Sequence, residues 1–140
     1  MIAYGESSAI LAWLFDEALA AAVSDVLADA DRIVASLITP LECGRALRRG
    51  RAAGRLRGDQ YELLEQRLSA AVSGWSVLDL SEAVVARVSG PFPSEPVRTL
   101  DALHLATADV ARQSLGTLTM VSLDQRVRRN AAALGLAVAP

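Results

Sequence analysis

Four carboxylates stand apart from the other acids of this 140-residue chain: Glu6, Glu42, Asp101 and Asp124. Each falls just after a segment patterned as a strand, or within the first turn of a segment patterned as a helix. In an open parallel sheet such junctions lie along one edge, at the carboxyl ends of the strands, where these folds bind their ligands. The four side chains are therefore placed to converge. Carboxylates gathered without balancing cationic side chains repel one another, and a divalent cation such as Mg²⁺ or Mn²⁺ is the usual compensation. The chemistry expected of such a group is that of a hard metal ion held by oxygen.

Each acid also has a local explanation. Asp124 reads as a helix N-cap, Glu42 as the third residue of a capping box, and Asp101 as an acid favoured near a helix N-terminus. Glu6 is the hardest to explain locally, because it directly follows a buried strand and precedes Ser7-Ser8. Ser7, Ser8 and Ser122 are candidate hydrogen-bonding partners of a bound ion's ligands, with Thr107 a weaker candidate, and ordinary capping is their alternative role. His104 lies one helical turn after Asp101, between Leu103 and Leu105, and reads as a packed, hydrogen-bonded residue.

Composition narrows the classes. With one cysteine, Cys43, and one histidine, His104, the chain can form no internal disulfide and no Cys/His zinc site. All 14 basic side chains are arginine. The missing lysine argues against a P-loop enzyme, a receiver domain and a haloacid-dehalogenase-type phosphatase. The formal net charge of −2 argues against a uniformly basic nucleic-acid binder. The arginines are nevertheless clustered, with Arg45, Arg48, Arg49, Arg51, Arg55 and Arg57 in one stretch free of acids and Arg126, Arg128 and Arg129 in another. The longest apolar run, Ala9 to Phe15, is too short to span a bilayer. No signal-peptide pattern precedes Ile2, so the expected compartment is the cytoplasm.

The elements that must position the carboxylates alternate between strand and helix over a length that suits one domain, residues 1–140. Ile2 to Tyr4 reads as a buried strand, followed by helical patterns over Ala9 to Phe15 and Ala18 to Ala28. Arg32 to Ser36 is the second strand. Thr39-Pro40-Leu41-Glu42 has the form of a capping box opening a helix that ends near Gly54. A helix from Asp59, a strand within Trp75 to Leu80, and a helix capped by Ser81 come next. Three prolines between Gly90 and Pro96 dictate a loop. A helix from about Leu100 to Leu115, a strand from Thr117 to Ser122, a helix from Asp124 to Leu134 and a strand over Leu136 to Ala139 complete the chain. Strands alternating with helices imply a parallel sheet covered on both faces.

The segments Tyr4-Gly5-Glu6-Ser7-Ser8-Ala9, Thr39-Pro40-Leu41-Glu42, Leu100-Asp101-Ala102-Leu103-His104-Leu105-Ala106-Thr107-Ala108 and Val121-Ser122-Leu123-Asp124, closed by Ala131-Ala132-Ala133-Leu134-Gly135-Leu136, resemble PIN-domain proteins, particularly VapC-like toxins. The stretch from Asp101 to Ala108 is the most specific part. The resemblance spans the chain in order and implies a three-layer α/β/α sandwich with a mainly parallel sheet of strand order 3-2-1-4-5. It implies an Mg²⁺- or Mn²⁺-dependent ribonuclease held by Glu6, Glu42, Asp101 and Asp124, inhibited by an antitoxin protein and forming a homodimer. The arginine clusters would then track the RNA backbone. One departure is visible: the family usually carries aspartate where this chain has Glu6. Two other readings stay open. One is a catalytically impaired PIN domain acting as an RNA- or protein-binding module, and the other is a flavodoxin- or receiver-like signalling domain.

Overall fold

The computed structural model describes all residues, Met1–Pro140. Five strands form one sheet: β1 (Ile2–Gly5), β2 (Arg32–Ser36), β3 (Ser76–Leu78), β4 (Leu118–Val121) and β5 (Ala137–Ala139). Their order is β3-β2-β1-β4-β5 and every pairing is parallel. Seven helices connect them: α1 (Ser7–Leu14), α2 (Ala20–Ala28), α3 (Ile38–Ala52), α4 (Gly58–Ser73), α5 (Glu82–Val88), α6 (Thr99–Leu115) and α7 (Gln125–Ala133). No helix is long and apolar enough to cross a membrane.

The period-two alternation of the strands builds the layers. Tyr4, Val34, Leu118 and Met120 point to one face, against Val84 of α5, Leu105 and Ala106 of α6, and Val127 and Ala131 of α7. Ala3 and Val121 point to the other, against Ala9 of α1 and Val23 of α2. A further cluster joins α1 to α3 and α4 through Ile10, Leu14, Cys43, Leu47 and Leu68. Burying one such leucine contributes roughly 1.5–3 kcal/mol, so the layers fix the strand ends firmly.

The proline-rich segment has no regular structure. It is tied to α7 by Asn130, whose amide accepts from Ser94 N at 2.8 Å and donates to Ser94 O at 3.1 Å. Ser81 caps α5 as its sequence implies, accepting from Val84 N at 3.3 Å.

One local expectation is corrected. Thr39 does not open α3 as an N-cap, because the helix already begins at Ile38, whose main-chain nitrogen donates to Ser36 Oγ at 3.3 Å. Thr39 is fully buried and donates instead to the Gly5 carbonyl at 3.0 Å, tying α3 to the end of β1. Tertiary contact outcompeted the local capping pattern, and it frees Glu42 from any capping role. Helix α1 also starts two residues earlier than its apolar run, at Ser7.

Candidate active site

The β1–α1 junction carries Glu6, 5% exposed. Its main-chain nitrogen extends the β1–β4 ladder by donating to Val121 O at 3.0 Å, and its side chain caps α1 by accepting from Ser8 N at 3.0 Å. The other oxygen accepts from Ser122 Oγ at 2.7 Å and from Ser8 Oγ. Ser8 Oγ in turn accepts from the main-chain nitrogens of Leu123 and Asp124 at 2.9 and 3.1 Å. One serine thus pins the β4–α7 junction to the start of α1.

Asp124 is the N-cap of α7, its Oδ1 accepting from Arg126 N at 2.8 Å and Val127 N at 3.3 Å. Capping uses one oxygen and leaves the charge in place. Asp101 sits in the first turn of α6. Its carboxyl is raised above the ordinary aspartate range, first by burial and then by the negative charges of Asp124 and Glu6, against a smaller opposing pull from Arg98 and His104. Asp101, Asp124 and Glu6 therefore share one field.

Glu42 projects from α3 toward the same place. One carboxylate oxygen each from Glu6 and Glu42 and one ring nitrogen of His104 lie within 4.8 Å of one another. Burial pushes the Glu42 carboxyl upward, but hydrogen bonds from His104 and Ser7 and the charges of His104 and Arg49 outweigh it, leaving a net lowering. Glu42 is the member whose neighbours outweigh burial, and Asp101 is the member whose cationic neighbours do not.

His104 was readable as a packed residue, and it is fully enclosed at 1% exposure. Its role was not readable. Nδ1 lies 3.2 Å from Tyr4 Oη, while Nε2 lies 3.1 Å from Ser7 Oγ and 3.5 Å from Glu42 Oε2. A carboxylate can only accept, so the neutral ring carries its proton on Nε2 and Nδ1 accepts from Tyr4. The pointer in the sequence was the three-residue step from Asp101 to His104, which puts both on one face of α6. Thr107 donates to the Leu103 carbonyl at 2.7 Å within its own helix.

Elsewhere the chain does compensate buried acid. Asp109 is held by Arg87 at 2.8 Å and Arg112 at 3.0 Å. Around Glu6, Glu42, Asp101 and Asp124 the only guanidinium within ion-pair reach is Arg126, 3.9 Å from Asp124. Two carboxylate oxygens and an imidazole nitrogen within 4.8 Å of one another, with surplus negative charge around them, offer ligands to a divalent cation. Cys43 lies close by in sequence, but burial, with the charges of Glu42 and Glu6, pushes its thiol up to about 12, so it is no thiolate nucleophile. Beside the carboxylates runs a cavity of roughly 580 Å³, lined by Leu11, Ile38, Leu41, Leu80, Leu100 and Leu103 together with Glu42, Arg45, Arg49 and Asp101.

A five-stranded parallel sheet in this order, with acids gathered from its β1, β2 and β4 ends and from the helix before β4, defines a class. The chain belongs to the PIN domain family, whose model matches residues 4–133. Among curated proteins it is similar to ribonuclease VapC35 of Mycobacterium tuberculosis, with 32% identity over 139 residues, 96% of this chain and 93% of the relative, in strains CDC 1551 and H37Rv alike. Among solved structures it resembles FitAB bound to an IR36 DNA fragment, at TM-score 0.72 and 18% identity over 99% of this chain and 93% of that one. VapBC2 from Rickettsia felis, bound to a fragment of its promoter, matches at TM-score 0.65 and 16% identity over 99% of this chain and 97% of the other.

Proposed function

We propose that this chain is a metal-dependent endoribonuclease and the toxin of a toxin–antitoxin pair, acting in the cytoplasm as one domain over residues 1–140. The observation that carries the reading is the clustering of the acids: Glu6 and Glu42 with His104 within 4.8 Å, and Asp101 in the field of Asp124 and Glu6. The 32% identity to proteins named ribonuclease supplies the reaction class.

Glu6, Glu42, Asp101 and Asp124 would hold Mg²⁺ or Mn²⁺. When bound, the ion activates water for in-line attack on phosphorus and neutralises charge on the scissile phosphate. The chain's own work is positioning. Ser8 and Ser122 fix the rotamer of Glu6, Ser7 and His104 hold Glu42, and the α7 N-terminus holds Asp124. Asp101, whose carboxyl is raised by burial and by the charges of Asp124 and Glu6, gains from a cation. No side-chain nucleophile is required.

Partner binding follows from the same chemistry. The apolar cavity beside the carboxylates lies between α1, α3 and the start of α6, and suits an amphipathic helix of an antitoxin whose Arg or Lys reaches the acids. The VapBC2 relative is described as bound to its own promoter DNA, which supports a DNA-binding partner. A homodimer of this chain would present two such partners to a two-fold operator.

A second reading, an RNA- or protein-binding module without turnover, rests on Glu6, since both of its oxygens already accept hydrogen bonds. Turnover separates the two. The purified protein should cleave a structured RNA with Mg²⁺ or Mn²⁺ and lose that activity in chelator and in Asp101→Asn. Binding without metal-dependent cleavage would leave the module. Co-expression with the product of a neighbouring small reading frame tests the toxin assignment: failure to co-purify and to suppress cleavage would remove it and leave the nuclease.

A further inference from the structure

Most of the arginines are already engaged. Arg57 pairs with Asp59, Arg87 and Arg112 with Asp109, and Arg126 with Asp124. Arg48 lies over the Tyr61 ring and Arg67 over the Trp13 ring, 5.9 and 4.0 Å from the centroids. Arg128 donates to the carbonyls of Ser122 and Ala139 at 2.7 and 2.8 Å, binding the ends of β4 and β5 together. The second arginine cluster of the sequence is therefore largely structural.

Arg45, Arg49 and Arg55 are exposed, and none takes part in an ion pair, a cation–π contact or a side-chain hydrogen bond. Glu42, Arg45 and Arg49 follow at steps of three and four, so they share one face of α3. Arg45 and Arg49 line the cavity that contains Glu42 and Asp101. Arg49 also lines a second cavity of roughly 400 Å³ with Arg55, Phe15 and Glu17. The two hollows meet at Arg49.

The sequence builds this arrangement deliberately at the end of α3. Gly54, at φ 72°, takes a conformation that other residues adopt only under strain, and reverses the chain so that Arg55 N donates to Gly50 O at 2.9 Å. Leu56 then tucks against Gly50, where a Cβ would lie 3.1 Å from the Leu56 side chain. Arg55 is thereby brought back beside the helix that carries Arg49.

We propose that Arg45, Arg49 and Arg55 form a phosphate track for a single RNA strand, running from the carboxylates along α3 and over the α3–α4 turn. This rests on the ribonuclease reading and names where its substrate lies. Seven residues of helix separate Glu42 from Arg49, about 10 Å of track, so the arginines meet phosphates beyond the scissile one. An acidic site would repel a polyanion, and unpaired guanidiniums on the adjoining surface offset that repulsion. They carry charge without base readout, so the track sets affinity and strand direction rather than sequence preference.

The test uses a short fluorescein-labelled oligouridylate, bound in Mg²⁺ to the Asp101→Asn protein and followed by anisotropy across a salt series. Arg45→Gln, Arg49→Gln and Arg55→Gln should each weaken binding about fivefold and flatten the slope of log K against log salt by about 0.7, the single-strand value per lost contact. Arg48→Gln on the same helix and Arg57→Gln should change neither, and thermal unfolding checks that all five fold. Slopes unaltered in the three, while the unsubstituted chain still cleaves RNA, would overturn the track and leave the nuclease standing. Unaltered RNA binding with loss of co-purification of the partner protein would likewise overturn it, assigning the surface to that partner. Absence of any RNA cleavage by the unsubstituted chain would instead overturn the ribonuclease reading beneath it.

Discussion

The Tyr4 hydroxyl donates to His104 Nδ1 at 3.2 Å, with the two rings edge to face at 82° and 6.2 Å between centroids. The contact joins β1 to α6 inside the core and fixes which imidazole nitrogen carries the proton. Nε2–H is then presented to Ser7 and Glu42, so a buried imidazole orients a carboxylate. Burial raises the Tyr4 phenol far above its ordinary range, which keeps it a donor at every pH of interest.

Removing that donor should be felt in two places. Tyr4→Phe leaves Nδ1 without a partner in the core and should cost about 1–3 kcal/mol in urea unfolding. His104→Ala should lose more stability and also lower Mn²⁺ affinity in calorimetry, because Glu42 is no longer held. His104→Gln, which keeps a donor near Glu42, should recover part of the affinity. Unchanged Mn²⁺ affinity in both variants would limit His104 to packing.

Asp101 sets a trade between stability and function. Its carboxyl is raised in the folded chain, so its contribution to stability is complete below the unfolded value of 3.8 and is lost as pH rises through the folded value. At neutral pH the ionised group therefore destabilises the metal-free protein. Asp101→Asn should melt higher than the unsubstituted chain in chelator at pH 7, should lose that advantage below pH 3, and should gain less from added Mn²⁺. An equal or lower melting temperature in chelator would show that the charges are not in conflict.

The alternation of strands and helices was legible because strand ends are set by hydrophobic alternation and junction residues inherit their place from them, whereas the strand order was an implication of the family resemblance that alternation alone does not fix. The Glu6–Ser8–Asp124 linkage was only half legible, since Ser8 and Ser122 were marked as hydrogen bonders while the pairing of residues more than a hundred positions apart was not. Thr39 misled because its local pattern matches a cap, whereas the nearby Gly5 carbonyl claims its hydroxyl. His104 showed no role because its partners, Tyr4, Ser7 and Glu42, come from three other elements. Arg128 resembled its neighbours Arg126 and Arg129 in sequence and differs only in the carbonyls it meets.

Asp124 separates capping from charge. Asp124→Asn retains an N-cap acceptor and should leave unfolding within about 0.5 kcal/mol, while Asp124→Ala should cost about 1 kcal/mol. Both should lose RNA cleavage, because an amide and a methyl are poor partners for a divalent cation. Cleavage surviving in Asp124→Asn would restrict Asp124 to a structural role.

Glu6 sets metal preference. Its longer side chain, already fixed by Ser8 and Ser122, departs from the family's usual aspartate, and Mg²⁺ is the more demanding ion about ligand geometry. Cleavage should be faster with Mn²⁺ than with Mg²⁺, and Glu6→Asp should narrow the ratio. An identical ratio in the two proteins would show that chain length at this position is immaterial.

The central claim is that acids from four separate junctions form one metal centre. Calorimetric titration of the metal-free protein with Mn²⁺, repeated on Glu6→Gln, Glu42→Gln, Asp101→Asn and Asp124→Asn, addresses it directly. The account predicts saturable binding by the unsubstituted chain that every one of the four substitutions weakens at least about tenfold, with RNA cleavage falling in step. Mn²⁺ binding that is absent, or that survives unchanged when any one of the four is neutralised, would contradict it.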